Sequence, residues 1–250
     1  MPHPIPGAPA EIAAEIDRLT NALTQAAGPN LAGLILYGGL ARGRFRPGNS
    51  DVNVVVLLHD ASFSALIEIA PALQTARRSA GVAPMILTPS EVSEAADVFP
   101  TKFLDIKRYH LVLAGEDPFA MLEVPHEHVR LRIEQELRNM LLRLRRLGLD
   151  AVTDARLRAR GLTRIARPLA IQLSDLLRLA GKQVPAGDRT SAIFEAAAAV
   201  FDLNAIALAS LAELRLNARP ENVVGCLFGD VLNVVAQAVD VADRMKDPSQ

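Results

Sequence analysis

Two short apolar runs, residues 34–37 and 52–58, do most to limit what this chain can fold into. The first stops at Gly38 and Gly39, and the second follows Asp51. Apolar runs with such ends read as buried strands, here at residues 32–37 and 52–58. Adjacent glycines let a backbone approach an anion closely, and their N–H groups can form a concavity for phosphate. Asp51 stands where a carboxylate can hold a cation.

The rest of the N-terminal half alternates helix and strand. After a proline-rich start, residues 1–8, expected to be disordered, Ile12, Ile16, Leu19 and Leu23 recur at helical spacing, so residues 9–27 read as an amphipathic helix closed by Gly28 and Pro29. A helix at 62–77, a strand at 82–87, a short helix capped by Thr88 or Ser90 and ending before Pro100, and a strand at 111–113 follow. These elements make a small mixed sheet with flanking helices over residues 9–122. Residues 118–125 form the junction. Residues 123–247 then read as an all-α helical bundle, giving an α+β chain overall. In its first helix Ile133, Leu137, Met140, Leu141, Leu144 and Leu147 form one stripe ended by Gly148, and a second helix, 153–179, is expected to kink or divide at Pro168. Helices at 191–201, 205–216 and 223–245 complete the bundle.

The segment YGGLARGRFRPGNSDVNVVV, residues 37–56, resembles the nucleotidyltransferase superfamily that includes DNA polymerase beta and kanamycin nucleotidyltransferase. Gly38 and Gly39 match the family's glycine step, Ala41, Arg42 and Gly43 its Ala-Arg-Gly, and Ser50 with Asp51 its Ser-Asp. The resemblance covers residues 31–120 and implies transfer of a nucleoside monophosphate from a triphosphate to a hydroxyl, with magnesium ions held between carboxylates and phosphates. It makes Gly38, Gly39, Arg42 and Ser50 the nucleotide- or phosphate-binding residues and Asp51 the metal ligand. Two positions depart from the pattern. Asn53 replaces the second acid, and Met85 stands where a third is expected on the next strand.

Those departures limit the chemistry. A two-ion site stabilises both the attacking and the leaving oxygen, and magnesium demands hard, preferably anionic oxygen donors. Each electrostatic group aimed at such a transition state is worth about 3–4 kcal/mol, so the loss of two would nearly silence transfer unless Asp97 or Asp105 substitutes. The plainer reading has Asp97 ending a helix and Asp105 as a surface or hydrogen-bonded residue. Glu116 and Asp117 precede Pro118 in a turn and read as solvated. Arg44 and Arg46, like Arg42, flank the glycine loop and suit phosphate or plain solvent exposure equally.

Composition narrows the functional classes. A net charge of −1 excludes a general polyanion binder, yet eleven arginines against four acids between Arg130 and Arg167 concentrate positive charge on the first bundle helices. His126 and His128 lack the further donors a metal needs. One cysteine, Cys226, permits no internal disulfide, and its apolar neighbours suggest core packing. With no leader pattern and no unbroken apolar run of membrane-spanning length, the expectation is a soluble cytoplasmic protein that engages no membrane. Three readings follow. One is a binding protein, possible pseudoenzyme, for a nucleotide or phosphorylated ligand. Another is an active nucleotidyltransferase acting on a small-molecule or protein hydroxyl. The third is a helical module whose basic face takes a protein or RNA partner.

Overall fold

The computed structural model describes residues 5–48, 50–185, 187, 189–216 and 224–245. The chain divides into two compact units, Met1–Val124 and Pro125–Gln250. The first is built from α1 (Ala10–Ala27), β1 (Leu31–Tyr37), β2 (Val52–Leu58), α2 (Phe63–Ala80), β3 (Val82–Leu87), α3 (Pro89–Val98), α4 (Pro100–Arg108) and β4 (His110–Gly115). Its strands form one sheet in the order β3-β2-β1-β4, with β1 antiparallel to both β2 and β4, and β2 parallel to β3.

Both faces of this sheet are covered, which explains why β1 and β2 are apolar almost throughout. On one face Leu34, Leu36, Val54 and Val56 pack against Ile16, Leu19 and Leu23 of α1 and Ile69 and Leu73 of α2. On the other, Ile35, Val55 and Leu57 pack against Val92 and Ala96 of α3, Phe103 and Ile106 of α4, and Phe119 and Leu122 beyond β4. The buried Glu15 of α1 is satisfied by Ser79 Oγ at 2.6 Å and by Arg18. Of the stretch expected to be disordered, residues 1–4 lie outside the described residues. Ile5 is buried in the first of these cores, and Ala8 packs against it, because an isoleucine lodged there removes apolar surface from water.

Thr88 is the cap of α3. Its hydroxyl accepts from Glu91 N, and the Glu91 carboxylate accepts from Thr88 N at 2.7 Å, a complete capping box. The helix ends before Pro100 as expected, but the chain then starts a second helix, α4, with Pro100 in its first turn. Proline at that position forfeits no hydrogen bond and already has a helical φ, so it opens α4 as readily as it closes α3. Asp117 is exposed, as expected, and it also accepts from Phe119 N and Ala120 N and faces His110 Nε2 at 3.1 Å. It organises the turn that carries Phe119 into the core.

The second unit is helical among the described residues: α5 (His126–Asp150), α6 (Ala155–Leu179), α7 (Thr190–Phe201), α8 (Ala205–Leu216) and α9 (Val224–Arg244). The α5 stripe packs on α6 and α9. Three expectations need correcting. Gly148 does not end α5; it lies where Phe228 comes so close that a Cβ would sit 3.2 Å from its ring. Of the kink or division expected at Pro168, division does not occur: α6 runs on as one helix, with Ala166, Leu169, Ala170 and Leu173 around the proline buried. Cys226 is exposed, since it falls off the buried stripe that runs through Leu227, Val231, Val234, Val235 and Ala238. Within the described residues, Gly225–Arg244 is long and apolar enough to cross a membrane by length and composition, and this stripe is buried inside the unit.

Arg130 is the charged residue at the heart of the bundle. Only 2% exposed, it donates to Glu127 and Glu134 at 2.6–2.7 Å and to the Ala242 carbonyl of α9 at 3.3 Å. Burial pushes the Glu134 carboxyl up, but hydrogen bonds from Arg138 and Arg130 outweigh it and hold the group below its ordinary 4.5. Because the folded value is the lower one, this stabilisation is present above pH 4.5 and is lost as pH falls through the folded value. Arg130→Met is expected to destabilise the protein by about 3 kcal/mol in urea unfolding. Glu134→Gln is expected to lose less, and to flatten the acid limb of a stability-versus-pH curve.

Candidate functional site

Since both faces of the sheet are sealed, polar chemistry in the first unit is confined to strand ends. At one such end β1 finishes in Tyr37 and the chain enters a tight turn. Gly38 adopts φ +80°, a left-handed conformation that favours glycine. Its carbonyl accepts from Arg42 N at 3.2 Å, and the Gly39 carbonyl accepts from Arg44 N at 2.8 Å. The turn is thus closed through its carbonyls, while among the described residues the N–H groups of Gly39, Leu40 and Ala41 donate to no backbone acceptor. Leu40 is fully buried and anchors the turn to the core.

β2 starts beside this turn. Asn53 pairs with Tyr37 on β1 and with Ala83 on β3, and Tyr37 pairs in turn with His110 on β4. The Asn53 amide sits directly against Gly38, where a Cβ would be 3.2 Å from Nδ2, and it donates to the Asp51 carbonyl at 3.3 Å. Asp51 itself is exposed. Ser50 closes the loop before it: its hydroxyl accepts from Arg46 N at 3.1 Å, and its N–H donates to the Arg46 carbonyl at 3.0 Å. Gly38, Gly39, Ser50, Asp51 and Asn53 therefore belong to one strand-end region. Met85 is a row deeper: it pairs with Val55 and packs into the core, so the residue level with Asn53 on β3 is Ala83.

Arg42 and Asp105 are brought together in a way their positions 63 residues apart do not reveal. The Arg42 guanidinium donates to Asp105 Oδ2 and lies over the Tyr109 ring, 4.6 Å from its centre. One helical turn earlier, Lys102 places its ammonium 6.0 Å from the centre of the Tyr37 ring. Burial pushes the Tyr37 phenol up. Sequence reasoning missed Lys102, Tyr37 and Tyr109. The signal for the last was the i, i+4 spacing of Asp105 and Tyr109, which sets both beside Arg42 once α4 is recognised. Asp97 lies in the last turn of α3. Among the described residues no three His, Cys, Asp or Glu side chains gather closely enough to hold a metal ion.

No protein-family model matches the chain, and no curated protein matches it. Among solved structures it is similar to that of spectinomycin adenyltransferase from Enterococcus faecialis with ATP and spectinomycin, at 16% identity and a TM-score of 0.49, covering 94% of this chain and 99% of that one. A likeness at that level carries no argument for this chain's chemistry.

The two glycines are expected to respond unequally to substitution. Gly38→Ala meets a left-handed φ and the Asn53 amide together and should cost about 1–3 kcal/mol. At Gly39 a Cβ finds only the Arg44 carbonyl, at 3.9 Å, so Gly39→Ala should leave the urea midpoint nearly unchanged. The Arg42–Asp105 pair, with side chains 17% and 36% exposed, is expected to show a coupling of about 1 kcal/mol in a double-mutant cycle of Arg42→Gln and Asp105→Asn.

Proposed function

We propose that the first unit is a nucleotidyltransferase-type domain that binds a nucleotide or another phosphorylated ligand at the glycine turn, with group transfer weak or lost. The observation that carries this reading is the turn itself: three consecutive N–H groups, from Gly39 to Ala41, have no backbone acceptor among the described residues, and Ser50 and Asp51 stand at the start of the adjoining strand. Such a turn suits phosphate oxygens. Arg42, whose guanidinium donates to Asp105 Oδ2 through one terminal nitrogen, is the cation of this region that a phosphate would meet.

Magnesium, which the family resemblance implies, fits poorly here. The donors at the strand end are one exposed carboxylate, Asp51, and one amide, Asn53, whose nitrogen is already turned to the Asp51 carbonyl. Ala83 and Met85 on β3 add no oxygen donor from their side chains. This set does not match a pair of hard divalent ions. Recruitment of Asp105 in an active enzyme competes with its bond to Arg42. The basic-face reading is narrowed as well, since Arg132, Arg138 and Arg146 are matched by Glu136, Glu134 and Asp150 on the same helix.

A panel of nucleoside triphosphates, each with magnesium or manganese, tests the proposal by thermal shift and product formation in parallel. One triphosphate is expected to stabilise the protein, by about 2.7 kcal/mol at 100 times its Kd. Asp51→Ala should weaken that effect and Gly39→Leu abolish it, with no labelled product from alpha-labelled substrate. Stabilisation by none of the nucleotides, or turnover in the decades typical of enzymes, about 1–1,000 per second, would overturn it.

A further inference from the structure

The helical unit holds a cavity that the nucleotide reading does not use. It lies between α5 and α6 and has a volume of about 400 Å³, inside the range of about 300–1,000 Å³ that small-molecule sites occupy. At one end Leu147 presses on the bare backbone of Gly161, where any Cβ would clash. At the other end stand Glu136 and Gln172. Eleven residues of helix separate the two ends on each side, roughly 16 Å. Between them the walls are apolar, from Met140, Leu144 and Ile165.

Polar groups are few and uneven in sign. Arg143 and Arg164 line the cavity from exposed positions, and neither has a carboxylate partner among the described residues. Glu136, the acid of the lining, is held by Arg132 at 2.6 Å. The lining therefore includes two arginines without an ion-pair partner among the described residues, a residue type that suits a carboxylate. On the wall, Gln172 Oε1 is buried with no hydrogen-bond partner among the described residues. Its terminal torsion is soft, so the amide can turn to accept a donor from a guest.

We infer that this cavity binds a small amphipathic carboxylate, with an apolar body lying along α5 and α6, an anionic head between Arg143 and Arg164, and one N–H or O–H donor directed at Gln172. The inference is independent of the nucleotide site. Indole-3-propionate carries all three features, and because the chain has no tryptophan, the fluorescence anisotropy of the probe reads binding without protein background.

The acid is expected to bind the full-length protein saturably, its methyl ester and its N1-methyl derivative each about ten-fold more weakly, the loss of one charged or directed contact. The exposed substitutions Arg143→Gln and Arg164→Gln together should erase the preference for acid over ester, and Gln172→Leu should erase the preference for N–H over N-methyl. Ile165→Phe should fill the cavity and abolish binding, with circular dichroism confirming that each variant is folded. No binding at millimolar probe, equal binding of acid and ester to the unaltered protein, or folded arginine variants that keep the preference would each overturn the inference.

Discussion

Burial of both faces of one small sheet is the constraint from which the first unit's remaining features follow. With α1 and α2 on one side and α3 and α4 on the other, β1 and β2 have no solvent-facing row, and almost every side chain along them must be apolar. Polar function is then possible only where strands stop. The chain places its glycine turn, its exposed aspartate and its asparagine there. On β3 the partly buried Met85 pairs with Val55, one row in from Asn53.

At the strand end the charges largely answer one another. Arg42, which a phosphate site calls for, meets Asp105, one of the two candidates to supply a missing acid. Aromatic rings lie beneath both cations, Tyr109 under Arg42 and Tyr37 under the exposed Lys102.

The strands were legible in the sequence from their apolar runs, most plainly where burial is two-sided as in β2, and β2 and β3 span the residues their runs mark out. The bundle helices were legible from their stripes. What could not be read came from residues with two uses. Pro100 reads as a stop but also serves as a start, which hid α4 and with it the approach of Asp105 and Tyr109 to Arg42. Gly148 reads as a helix end but makes room for Phe228, and Pro168 reads as a kink or break but lies within one undivided helix. Long-range partners such as Arg42 and Asp105 leave no local pattern at all.

The two tyrosines of the chain, Tyr37 and Tyr109, both sit at the glycine turn, each beneath a cation, and tryptophan is absent. The native phenolic absorption and emission of the whole polypeptide thus originate from a single neighbourhood. Unlabelled protein carries its own spectroscopic beacon there, and any molecule that displaces Lys102 or Arg42 from its ring alters the signal without the dilution that distant chromophores impose elsewhere.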